Sequence, residues 1–139
     1  MSLRAVLLPV FVQVALTFFL LFRMGFLRVN AIRAGEARIK DIALGQSNWP
    51  EKPTQLANSY ANQFQIPVLF IALAALALPL QKTDLLFVIL SWVFIALRLA
   101  HAYVHITSNY VPHRFKIFVA GVMVLMLMWA IFAMRVLLG

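Results

Sequence analysis

Seven residues stand where apolar chain is expected, and their spacing puts them on two helix faces. Gln55, Asn58, Asn62 and Gln65 recur every three or four positions, which is one stripe on one face of a helix. Arg98, His101 and His105 follow at i, i+3 and i+7 and form a second stripe. Arg114 and Arg38 add two further guanidinium groups. Guanidinium groups present fork-shaped donors that match carboxylate or phosphate. Asn and Gln both donate and accept, as a peptide-like ligand requires. The chemistry implied is recognition of a small anionic, amide-bearing molecule.

Each piece also has a plainer reading. Asn62 and Gln65 alone serve as interhelical hydrogen-bond glue, and Arg33, Arg38 and Lys40 as interfacial anchors. His101 and His105 sit at the i, i+4 spacing of a metal pair, but no Cys, Glu or clear third ligand accompanies them; no metal site is expected. Met123, Met126, Met128 and Met134 read as packing or lipid-facing residues.

The elements that carry these stripes are membrane spans. Of 139 residues, 64% are hydrophobic and 12% charged, with a mean hydropathy of +0.93. Soluble domains have roughly twice that charged share, ~25%, and disorder needs low hydrophobicity, so both are excluded. Four runs reach the ~20 apolar residues that a spanning helix needs: about 7–26, 56–80, 84–106 and 115–138. Together they make residues 1–139 one four-span membrane domain, and short links make it an all-α, up-down four-helix bundle. The first run is longer than a signal-peptide core and reads as a retained span. Pro67 lies inside the second and predicts a kink there. Arg28, Ala31, Ala34, Gly35 and Arg38 are expected to continue the first helix until Gly45, Pro50 and Pro53 break it.

Charge sets the orientation. Twelve Lys+Arg against four Asp+Glu leave +8; in so apolar a chain this basicity fits lipid headgroups and loop orientation, not nucleic acid. Arg28, Arg33, Arg38, Lys40, Lys52, Arg114 and Lys116 flank the first and third loops, with Arg23 close by. Arg4, Lys82 and Arg135 are on the other side. The positive-inside rule therefore puts the Asn30–Gln55 and Thr107–His113 loops in the cytoplasm. With no cysteine, disulfides and thiolate metal sites are excluded. At ~1.5 Å per residue, Gln65 and Arg98 both lie roughly 12 Å inside the cytoplasmic interface, so the two stripes share one layer. A cationic pocket open at that interface is expected, reached by a lipophilic second molecule from the membrane.

These residues resemble a known family, the membrane-associated proteins in eicosanoid and glutathione metabolism (MAPEG). The most specific stretch is RLAHAYVHITSNYVPHR, Arg98 to Arg114, where the family carries an Arg, a His three residues on, a Tyr four beyond that, and then Pro-x-Arg. NQFQIPVLF resembles the family's Asn-x-x-Glu segment with its following Pro. AIRAGEAR, leading to Arg38, resembles the basic end of its first helix. Ala61, Gln65 and His105 depart from the family's Arg, Glu and Tyr, in the manner of a divergent bacterial-type member of an inner membrane. The resemblance implies a homotrimer and a glutathione- or thiol-dependent transferase or peroxidase acting on lipophilic substrates. It implies Arg114 for thiolate stabilisation and Arg38, Asn62, Gln65, Arg98, His101 and His105 for binding glutathione as co-substrate. A protein of another class, binding a lipid headgroup or a membrane partner without catalysis, is the alternative.

Overall fold

The computed structural model describes residues 1–45 and 48–139; the middle of the expected Asn30–Gln55 loop, Gln46 and Ser47, lies outside the described residues. Among the described residues all regular structure is helical: α1 (Leu3–Arg33), α2 (Ile39–Ile42), α3 (Glu51–Asn62), α4 (Ile66–Ala77), α5 (Leu85–Ile106) and α6 (Val111–Leu137). Four segments are long and apolar enough to cross a membrane: α1, the α3–α4 pair, α5 and α6. The protein is an integral, multi-pass membrane protein with a helical-bundle fold.

α1 starts at Ser2, whose hydroxyl accepts from the Ala5 amide at 3.2 Å and satisfies one of the free N–H groups of the first turn. At 31 residues it is about 45 Å long, more than the ~30 Å of a bilayer core. It stops at Arg33, earlier than the sequence predicts. Gly35 adopts φ +76°, a left-handed conformation that L side chains resist. The Glu36 and Ala37 amides then turn back to the Ala31 carbonyl at 2.9 and 3.3 Å.

The second span is broken, not kinked. Residues 63–65 form a turn between α3 and α4, with the Gln63, Phe64 and Gln65 amides bonding three residues back at 3.0–3.2 Å. The break precedes Pro67, which sits at the start of α4, where its missing N–H is not needed. Irregular backbone at membrane depth survives only where protein or a cavity covers it, and here α1 and α5 pack on α3.

An apolar core fills the opposite half of the bundle, with Phe70, Leu73, Phe87, Phe94, Ile95, Leu125 and Met128 all buried. Its end is tied by Asp84, which caps α5 through the Phe87 amide at 2.9 Å and accepts from Arg135 at 2.6 Å. The Arg135 hydrogen bond holds the Asp84 carboxyl below its usual 3.8. At the other end Gln55 donates to the His105 and Thr107 carbonyls at 2.7 and 3.0 Å, so it closes the C-terminus of α5. α6 begins at Val111, which shortens the expected 107–113 link to four residues.

Candidate functional site

The α3–α4 break brings polar side chains to the face of α5 that carries Arg98. Arg98 is 1% exposed. Its Nη2 donates to Asn62 Oδ1 and, at 3.4 Å, to Gln63 Oε1. Asn62 Nδ2 donates onward to Gln65 Oε1 at 2.7 Å. Gln63 Nε2 donates to the Ser59 carbonyl at 3.0 Å, and Gln13 of α1 donates to Gln63 Oε1 at 2.9 Å. One buried guanidinium on α5 thus organises four amide side chains from α1, α3 and the break.

A cavity of about 460 Å³ opens beside this network. Asn58, Ala61, Asn62 and Gln65 line one wall, His101 and His105 a second, and Val111, Arg114, Phe115 and Phe118 a third. His101 and His105 are buried, with rings 5.5 Å apart edge to face, and His101 also meets Phe118 at 5.8 Å. The Nδ1 atoms of both histidines are buried with no hydrogen-bond partner among the described residues, as are Arg98 Nε and Nη1. Arg114 lies in the first turn of α6, half-buried, and donates through Nη1 to Asn109 Oδ1 at 2.6 Å. The remaining guanidinium donors are available at the cavity rim.

Of the site residues expected from sequence, Asn62, Gln65, His101, His105 and Arg114 meet on one cavity, and Arg98 stands directly behind Asn62. Arg38 does not line it: its Nε pairs with Asp41 at 3.0 Å on the surface, with 71% of its side chain exposed. Sequence reasoning missed Gln13 and Gln63, buried at 1% and 3% exposure. The available signal was Gln13 itself, an isolated amide inside the apolar run LLPVFVQVALTFFLLF. No group of three or more His, Cys, Asp or Glu suited to a metal occurs among the described residues.

One turn further along α6 the wall changes character. Ile66, Leu69, Val122, Leu125, Met126 and Trp129 line an apolar groove of about 350 Å³, and Trp129 Nε1 donates to the Leu69 carbonyl at 3.2 Å. A donor-rich chamber therefore adjoins an apolar one, an arrangement that can hold a polar and a lipophilic molecule side by side.

The sequence model described as MAPEG family matches residues 6–134 of the chain. No curated protein and no solved structure matches it.

Proposed function

The chain belongs to the MAPEG family, and from that premise we propose that it is a thiol-dependent transferase or peroxidase. Its co-substrate is a glutathione-type thiol, and its second substrate is a lipophilic electrophile or hydroperoxide drawn from the bilayer. The reading rests on one observation above all: a cavity of about 460 Å³ whose polar wall is rich in donors and whose rim carries Arg114, adjoining an apolar groove.

Asn62, Gln65, His101 and His105 bind the thiol, and Arg98 holds the amides in place. Arg114 stabilises the thiolate: a cation nearby favours the charged form and raises the reactive fraction near neutral pH. The sulfur then forms a C–S bond with the electrophilic carbon while the leaving group departs with its electron pair. With a hydroperoxide, two thiols become a disulfide as the O–O bond is reduced to alcohol and water. The apolar groove beside Trp129 receives the lipophilic partner.

The assembly in this reading is a homotrimer in a bacterial inner membrane, with the loop between α1 and α3 cytoplasmic. Arg38, absent from the chain's own cavity, serves binding through the site of a neighbouring copy. Thermal unfolding in mild detergent tests the proposal: glutathione raises the midpoint, and the same preparation conjugates it to a generic aryl halide electrophile. Neither stabilisation nor turnover hands the site to the alternative, recognition of a lipid headgroup or a membrane partner. Native mass spectrometry showing only monomer removes the trimer.

A further inference from the structure

We infer that the inner end of the cavity selects a carboxylate-bearing group with no free amine, so that the co-substrate is an acidic thiol lacking an ammonium at that end. This rests on the thiol reading above and sharpens its substrate class.

The argument begins with Arg98. A guanidinium donates and never accepts, so the atom Asn62 turns toward Arg98 Nη2 must be its carbonyl oxygen. The Asn62 amide nitrogen then faces the other way and donates to Gln65 at 2.7 Å, which fixes Gln65 Oε1 as the acceptor. Gln63 is set by the same rule: its Oε1 faces Arg98 Nη2, and its nitrogen goes to the Ser59 carbonyl. The orientation of each amide is thus dictated by one buried cation.

Gln65 lies at the end of this relay and lines the cavity. Its carbonyl oxygen is engaged, while its NH₂ group has no acceptor among the described residues. What Gln65 offers a ligand most freely is therefore a donor, its oxygen already accepting from Asn62. No carboxylate lines the cavity to offset it. The chain's four acidic residues are Glu36, Asp41, Glu51 and Asp84; the first three belong to the α1–α3 connection and the start of α3, and Asp84 caps the far end of α5. A carboxylate beside Gln65 meets its N–H and the opposite charge of Arg98 behind Asn62, with Arg114 at the rim adding to the positive field. An ammonium meets like charge from the guanidinium groups and no carboxylate to balance it.

Gln65→Glu tests this cleanly. It keeps an oxygen to accept from Asn62, so the relay survives, and replaces the donor NH₂ with a second acceptor. Binding is measured by calorimetry in non-ionic detergent for glutathione and for glutaryl-cysteinylglycine, the same thiol without its amine. The wild type binds the amine-free thiol tighter by about tenfold, the scale of one charge-assisted hydrogen bond. Gln65→Glu reverses the order. Gln65→Met, which removes the donor without adding charge, weakens the amine-free thiol. A wild-type preference for glutathione overturns the inference. If neither thiol binds, the thiol reading itself falls, and 4-phenylbutyrate and 4-phenylbutylamine read the selectivity separately. Carboxylate binding weakened about tenfold by Gln65→Glu upholds the inference. Equal binding of the amine overturns it.

Discussion

Gln13 and Gln63 are joined by a buried hydrogen bond of 2.9 Å across fifty residues of sequence, linking the middle of the first membrane helix to the break in the second. The bond is asymmetric in what it leaves behind. Gln63 has further partners in Arg98 and the Ser59 carbonyl, whereas Gln13 Oε1 is buried with none.

That asymmetry predicts unequal mutational costs. Gln13→Leu removes one hydrogen bond and one orphaned acceptor together, and is expected to change stability by no more than about 1 kcal/mol, typical of amide bonds inside membranes. Gln63→Leu strips partners from Arg98 and Gln13 at once, each left buried, and is expected to cost roughly 2–4 kcal/mol. The double variant should recover part of that loss, because Gln13 is no longer stranded. Thermal unfolding of all three in one detergent measures the cycle, and strict additivity would contradict it.

Arg98 and Arg114 separate architecture from chemistry. Arg98→Ala is expected to lower unfolding temperature and ligand binding together, leaving Asn62 Oδ1 unpaired at roughly 1–3 kcal/mol plus the volume lost. Arg98→Met should restore much of the stability, since it refills the space and removes a buried charge lacking an ionic partner, yet it should not restore binding. Arg114→Ala is expected to cost under about 1 kcal/mol, its one hydrogen-bond partner among the described residues being the exposed Asn109. In the proposed reaction it lowers turnover and raises the apparent pKa of the bound thiol, which thiolate absorbance against pH records.

The parts of the fold that follow local rules were legible in the sequence. Four apolar runs, short links and one Pro-x-Arg signature led to the bundle and the family. The 3.6-residue period correctly grouped Asn62 with Gln65 and His101 with His105. Two things were not legible. The second span breaks at 63–65 instead of kinking at Pro67, because proline needs only to be near a helix start and the amides before it find side-chain and cavity cover. The Gln13–Gln63 pair depends on how two helices are rotated about their own axes, and no local spacing encodes that. Gln55, grouped with the stripe by period, instead closes α5.

The Asp84–Arg135 pair sets an acid limit. Its hydrogen bond depresses the folded-state pKa of Asp84, so its contribution is present above the unfolded value near 3.8 and is lost as pH falls through the lower folded value. Asp84→Asn keeps an oxygen to cap Phe87 but loses the ion pair. It is expected to be slightly less stable than wild type at neutral pH, with the gap narrowing below about pH 4. Unfolding midpoints of both proteins between pH 7 and pH 3 check this.

Orientation is testable with single cysteines in a chain that has none of its own. Leu44→Cys, at a fully exposed position beyond α2, should resist an impermeant thiol reagent in intact cells, and Thr83→Cys, between α4 and α5, should react. The reverse pattern overturns the proposed topology.

The interrupted second span also bears on how the chain enters a bilayer during synthesis. The α3–α4 segment is the least apolar of the four, and half of it exposes amides whose partners lie on helices made before and after it. Alone in lipid it would strand those groups. α5 follows after a link of only seven residues, 78–84, and brings Arg98, itself too costly to insert without partners. Each segment supplies what the other lacks, so α3–α4 and α5 are suited to insertion as one hairpin, received by an already placed α1.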